Sequence, residues 1–136
     1  MSQENVKLAR EAYEAFNRGD LVGAVANLAP DAEYNATGGH MTGLAGVYRG
    51  PDEYRTGFLE PFVAEFDDAR LEVHELLDAA GEDVVAALTV RGRGKRSGAD
   101  VAWDVWQVWT FRDGQTIRGQ GYGSREAALE AVGLSE

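Results

Sequence analysis

The sequence predicts an α+β fold, and three observations carry that reading. Helical periodicity dominates the first half of the chain, period-two alternation dominates the second half, and a long aromatic hairpin, Val101 to Tyr122, sits near the end. Helices grouped before strands indicate α+β, whereas alternating units would indicate a parallel α/β sheet. The 136 residues suit one domain spanning 1–136, and no repeat, low-complexity tract or linker divides them.

The elements follow in order. Ser2 caps a first helix whose apolar positions Val6, Ala9, Tyr13 and Phe16 step by three and four, and Asn17-Arg18-Gly19 stops it. Asp20 caps a second helix, Leu21 to Leu28, which Pro30 ends. Asp31 to Asn35 reads as a short strand with Tyr34 and Asn35 on opposite faces. Ala36 to Gly50 has no period and several glycines, the mark of a long loop that edges a binding site.

Gly50-Pro51-Asp52-Glu53 starts a third helix, with proline in the first turn and acids behind it. Tyr54, Phe58, Phe62 and Phe66 recur every four residues along it, an aromatic stripe suited first to core packing, and Pro61 predicts a kink near Glu60. Two strands follow, Ala69 to Leu77 and Asp83 to Arg91, and then a tip in which Arg91, Arg93, Lys95 and Arg96 alternate with glycine as a solvated turn. In the aromatic hairpin, Val101, Trp103, Val105, Gln107, Trp109 and Phe111 share one face, and Ala102, Asp104, Trp106, Val108 and Thr110 the other. Both faces carry large apolar side chains, so one is expected against the helices and the other against a partner molecule or further chain. Ser124 begins a short last helix closed by Gly133.

Composition removes several function classes. The net charge of −10 opposes a nucleic-acid partner, since phosphate binding needs a basic stripe. The absence of cysteine removes disulfides and thiolate chemistry, and two distant histidines do not make a metal site. No apolar run spans a bilayer and no leader pattern opens the chain, so the expected location is cytoplasmic, with no membrane partner.

Five segments then carry a resemblance: Ala12 to Leu21, Leu28 to Tyr34, Tyr48 to Gly50, Val108 to Gly114 and Glu126 to Leu134. In that order they resemble the SnoaL-like branch of the nuclear transport factor two-like superfamily, over essentially the whole chain. The resemblance implies a cone: a strongly curved, antiparallel-rich sheet wrapped around the N-terminal helices, with a deep apolar pocket at its open end. It also implies a place among polyketide cyclases, ketosteroid isomerases, epoxide hydrolases and non-catalytic binders, so function must be read from the pocket.

Laid on the family pattern, Trp103, Val105, Gln107 and Trp109 face inward with Gly119, Gly121 and Gly123, whose missing side chains are expected to widen the cavity. Gln107 stands where relatives carry an acid or a histidine, and an amide does not transfer protons near neutral pH. The expected pocket comprises Tyr34, Tyr54, Phe58, Phe62, Leu88, Trp103, Val105, Gln107, Gly119 and Gly121. His40, in the long loop, is the one candidate base; His74 and Asp104 belong to the outer face. Two functions follow as expectations, a proton-transfer enzyme of secondary metabolism acting on a small apolar molecule, and a non-catalytic binder of such a molecule. Neither needs a cofactor. A homodimer through the outer face, around Trp106 and Val108, is expected because a tryptophan amid an apolar strand is a poor surface residue.

Overall fold

The computed structural model describes residues 2–36, 42–79 and 81–134. Helix α1 (Ser2–Asn17) and the single turn α2 (Leu21–Ala24) lead into strand β1 (Leu28–Asn35) and a short edge strand β2 (Val47–Arg49). Helices α3 (Gly50–Tyr54) and α4 (Glu60–Ala64) follow, and then four long strands, β3 (Phe66–Ala79), β4 (Asp83–Gly94), β5 (Asp100–Arg112) and β6 (Gln115–Tyr122), before α5 (Arg125–Ala131). No described helix is long and apolar enough to cross a membrane.

The strands form one sheet in the order β2-β1-β6-β5-β4-β3, antiparallel except where β1 runs parallel to β6. Register shifts within β3, between β5 and β6, and along β1 insert unpaired residues, and such bulges bend and twist long strands. The sheet therefore curls around α1. Ala9, Tyr13 and Phe16 are buried against Val84, Ala86, Leu88 and Val90, the inward parity of β4. At the free edge of the sheet, the Asn17 amide bonds both backbone groups of Leu71, receiving its N–H at 2.8 Å and donating to its carbonyl at 2.9 Å. One side chain thus ties the end of α1 to β3 and blunts an edge that would otherwise offer itself for pairing.

Several boundaries differ from the sequence expectation. Helix α2 stops at Ala24, and Leu28 already belongs to β1, because Leu28 pairs with Thr116 on β6 and Pro30 disfavours helical backbone at Ala29. The anticipated kink at Pro61 is a full π-helical turn, Arg55–Leu59, in which the Glu60 N–H reaches back five residues to the Arg55 carbonyl. Pro61 supplies no N–H and its ring crowds the carbonyl four residues before it, so widening the preceding turn relieves the conflict. The β5–β6 turn is Asp113-Gly114, both with positive φ, the two-residue geometry suited to right-twisted hairpins.

On the outer face, α5 packs Ala128 against Ala79, Val85 and Val108, with Trp106 and Tyr122 beside them. This corrects the expected open surface. Val108 is buried beneath the chain's own last helix and Trp106 is half-buried, so neither presents the bare apolar patch on which the homodimer was argued. His74 and Asp104 lie on this face, joined through Thr89: the His74 ring nitrogen is 2.7 Å from the Thr89 hydroxyl, which donates to Asp104 at 2.8 Å. Two arginines of the basic tip are paired, Arg91 with Glu72 and Arg93 with Asp100.

Candidate functional site

The inward parity of β4 and β5, the aromatic stripe of α3 and α4, and the core stripe of α1 enclose a cavity of about 120 Å³. Its wall is almost entirely apolar, including Leu8, Phe16, Leu59, Phe62, Leu71, Leu88, Val90, Trp103, Val105 and Phe111. An engineered apolar cavity of about 150 Å³ accepts benzene, so the space suits one ring. None of the described residues on the wall is Asp, Glu, His, Lys or Arg. Among the described residues no group of three or more His, Asp or Glu side chains converges to hold a metal.

Apart from Asn27, which donates to Thr116 at 3.5 Å, and the Tyr54 hydroxyl, the polar side chains of the wall form one connected chain. The Trp109 indole N–H donates to the Tyr13 hydroxyl at 2.7 Å, and Tyr13 donates to the Gln107 carbonyl oxygen at 2.6 Å. The Gln107 amide N–H then donates to the Tyr34 hydroxyl at 2.9 Å. Backbone geometry brings these groups together. Tyr34 on β1 and Trp109 on β5 both pair with Gly119, and their rings stack over it with centroids 5.2 Å apart. Tyr13 reaches across from the buried stripe of α1. Tyr54, one helical turn before Phe58, packs its ring 4.7 Å from Tyr34, and its hydroxyl has no partner among the described residues.

Burial dominates the acidity of these phenols. It pushes Tyr34 up to about 12, against a smaller opposing effect of its bond from Gln107. Tyr13 and Tyr54 are also raised by burial; the bond from Trp109 partly offsets this in Tyr13, and neighbouring phenols reinforce it in Tyr54. All three are therefore neutral hydrogen-bonding groups at ordinary pH, neither bases nor anions.

Of the ten residues expected at the pocket, Tyr34, Tyr54, Phe58, Phe62, Leu88, Trp103, Val105, Gln107 and Gly121 line this cavity. Gly119 does not. A Cβ there would overlap the Trp109 ring and fall 2.9 Å from Tyr34 Cδ1, so the space left by the missing side chain is filled by the Tyr34–Trp109 stack. Gly121 serves a related purpose, since a Cβ there would lie 3.1 Å from the Tyr34 hydroxyl. Gly123 lies exposed beyond the end of β6. The expectation that three glycines widen the cavity is thus corrected at Gly119, which seats the ring stack, and at Gly123, which lies off the wall, while Gly121 does line the cavity. His40 lies outside the described residues.

Two members of the hydrogen-bonded chain escaped the sequence-based list of site residues, Tyr13 and Trp109. Each carried a signal, a hydroxyl-bearing ring on a core stripe and an indole on the inward parity, because buried tyrosine and tryptophan tips need partners.

Over residues 9–119 the sequence matches the model of the SnoaL-like domain. No curated protein matches it significantly. Among solved structures, an NTF2-like protein of unknown function from Burkholderia pseudomallei is 28% identical, with 96% of this chain and 98% of that one covered and a TM-score of 0.77. TerC, co-crystallised with polyporic acid, is 25% identical over 95% of this chain and 97% of its own, again with a TM-score of 0.77. A hypothetical protein of ketosteroid isomerase-like fold from Catenulispora acidiphila, in complex with trimethylamine, is 16% identical over 94% and 93% with a TM-score of 0.74, a likeness of fold alone.

Proposed function

This chain belongs to the SnoaL-like domain family, and on that premise we propose that it binds a small, neutral, largely apolar molecule of about one ring in the cavity between α1, α3–α4 and the inner face of the sheet. The observation that carries the reading is the character of the wall: apolar throughout, free of ionisable carboxylate, imidazole and amine among its described residues, and interrupted only by neutral groups, chiefly the Tyr13–Gln107–Tyr34–Tyr54 cluster. Pockets that are mostly apolar with a few placed polar groups are typical of small-molecule sites. Small molecules accompany two of the related structures, polyporic acid and trimethylamine.

The test is ligand-observed NMR with ethylbenzene and acetophenone, using Ala12→Leu as the control. Ala12 lines the cavity from α1, and leucine fills space while keeping helix propensity. Wild-type protein should give saturation transfer to at least one of the two compounds, and Ala12→Leu should weaken it about tenfold, the effect of occupying a benzene-sized volume. Absence of transfer to both compounds in the folded wild type rejects the proposal.

A second reading, proton abstraction beside a carbonyl, is favoured by the neutral phenols, which can stabilise developing negative charge on oxygen. It requires a base, and His40 is the sequence's one candidate. The two readings separate in D2O. A binder leaves the acetophenone methyl protons unexchanged, whereas catalysed exchange that falls in His40→Ala would replace binding by enolisation.

A further inference from the structure

We infer that the cavity selects its ligand by hydrogen-bond polarity: it takes a neutral molecule with an acceptor oxygen, of the ketone, quinone or ester class, seated against the hydroxyl hydrogens of Tyr34 and Tyr54. This rests on the reading of the cavity as a small-molecule site and names the class of ligand.

The direction of the chain decides the point. An indole N–H only donates, so Tyr13 must accept from Trp109. Tyr13 then spends its single hydrogen on the Gln107 carbonyl, which turns the Gln107 amide N–H toward Tyr34. The reverse orientation of the Gln107 amide would leave the Tyr13 hydrogen facing an N–H, so the order is fixed at every step. Tyr34 therefore receives at its oxygen and keeps its own hydrogen, for which the described residues offer no acceptor. Each donor upstream polarises the next, and such chains strengthen the last donor.

Tyr54 supplies the second hydrogen. Its ring lies 4.7 Å from that of Tyr34, it is only 6% exposed, and no acceptor among the described residues engages its hydroxyl. The Tyr34 hydrogen and the Tyr54 hydroxyl find no acceptor among the described residues and lie on one cavity wall, so they point to a shared acceptor brought by the ligand. A donor-only ligand could bond the Tyr54 oxygen but would leave the Tyr34 hydrogen without an acceptor, whereas an acceptor oxygen serves both hydroxyls. A carboxylate would have to shed its water among apolar walls, and the burial that holds Tyr34 neutral opposes that charge too. Gly121 belongs to the same arrangement: with a Cβ due 3.1 Å from the Tyr34 hydroxyl, any larger residue would push the donor off its line.

The test uses four one-ring compounds of similar size: ethylbenzene with no polar group, acetophenone with an acceptor, N-methylaniline as donor, and benzoate as anion. Wild-type protein should bind acetophenone about tenfold more tightly than ethylbenzene, the factor one ordinary neutral hydrogen bond supplies. N-methylaniline and benzoate should both fall below acetophenone. In Tyr34→Phe and in Tyr54→Phe the acetophenone-to-ethylbenzene ratio should drop toward one, and the carbonyl stretch of bound 13C-labelled acetophenone should return to higher frequency. Tyr54→Phe removes a hydroxyl with no partner among the described residues, so it keeps the question answerable if Tyr34→Phe folds poorly. Equal binding of acetophenone and ethylbenzene overturns the polarity inference and leaves the apolar pocket standing. Preference for N-methylaniline or benzoate also overturns it. Binding of no compound removes the pocket reading itself, a distinguishable failure.

Discussion

Trp109 and Trp106 sit three residues apart on β5, and an odd spacing sends them to opposite faces of the sheet. On the inner face, the Trp109 indole N–H finds Tyr13 at 2.7 Å and its ring stacks on Tyr34. On the outer face, the Trp106 N–H is buried beside α5 and finds no acceptor among the described residues. Most buried polar groups are paired, so the contrast is informative. The outer cluster is held by packing, which tolerates volume-conserving change, while the inner wall is held by directed bonds that fix each ring's position. A site must be preorganised, and the surroundings of Trp109 are built that way while the cluster around Trp106 is not.

The largest test of this contrast is alkaline pH. A free tyrosine titrates near pH 10, whereas burial holds Tyr34 at about 12 and raises Tyr13 and Tyr54 as well. The folded state therefore keeps protons that the unfolded chain would release. Their contribution to stability is whole below about pH 10 and is lost as pH rises from there through the folded values. Tyr34 alone accounts for about 3 kcal/mol over two pH units, and Tyr13 and Tyr54 act in the same direction. Far-UV circular dichroism and tyrosinate absorbance at 295 nm should thus change together above about pH 10. Inner-face tyrosines that ionise near 10 with the fold intact would show a wet cavity and remove the distinction between the faces.

Tyr13→Phe attacks the centre of the inner network. It strands the Trp109 N–H and the Gln107 carbonyl oxygen at once, and each buried unsatisfied group costs roughly 1–3 kcal/mol. A loss of about 2–4 kcal/mol is expected in urea unfolding. A loss below about 1 kcal/mol would mean that water replaces the phenol. Away from either face, Asn17→Ala leaves both Leu71 backbone groups unpaired at the sheet edge and should cost about 2 kcal/mol, less if solvent reaches them. Faster amide exchange at Leu71 would locate that loss; unchanged exchange there would show that the Asn17 clamp does not hold the edge.

How much of this the sequence disclosed varies with the physics involved. Alternation alone placed Trp103, Val105, Gln107 and Trp109 on one face, because a side-chain period of two leaves no choice once a strand is recognised. Pairing between distant segments was less visible. Nothing local to Leu28–Asn35 announces a parallel partner in β6, and that pairing is what brings Tyr34 over Gly119. Gly119 illustrates the limit: the absence of a side chain was legible, but whether space or a neighbour's ring fills the gap is decided by residues far along the chain. Trp106 shows the same limit. Its apolar neighbours suggested an interface, and the covering element proved to be α5, a short helix whose docking no periodicity within β5 encodes.

The smallest expected effect is also the cleanest comparison, the same substitution made on both faces. Trp106→Phe and Trp109→Phe remove similar apolar area and the same indole N–H, and both residues are half-buried. They differ in what that N–H touches. At Trp109 the change deletes a bond to Tyr13, although Tyr13 keeps its own donation to Gln107. At Trp106 it deletes a buried donor that bonds nothing, so the lost packing is offset by relief of an uncompensated desolvation. Subtracting the two unfolding free energies cancels most of the packing contribution and leaves the bond, with Trp109→Phe more damaging by about 1 kcal/mol. Equal losses would show that the Trp106 N–H is engaged in solution after all, by water or by a second copy of the chain. Sedimentation of Trp106→Phe at micromolar concentration then distinguishes those two, because only loss of a partner copy changes the mass.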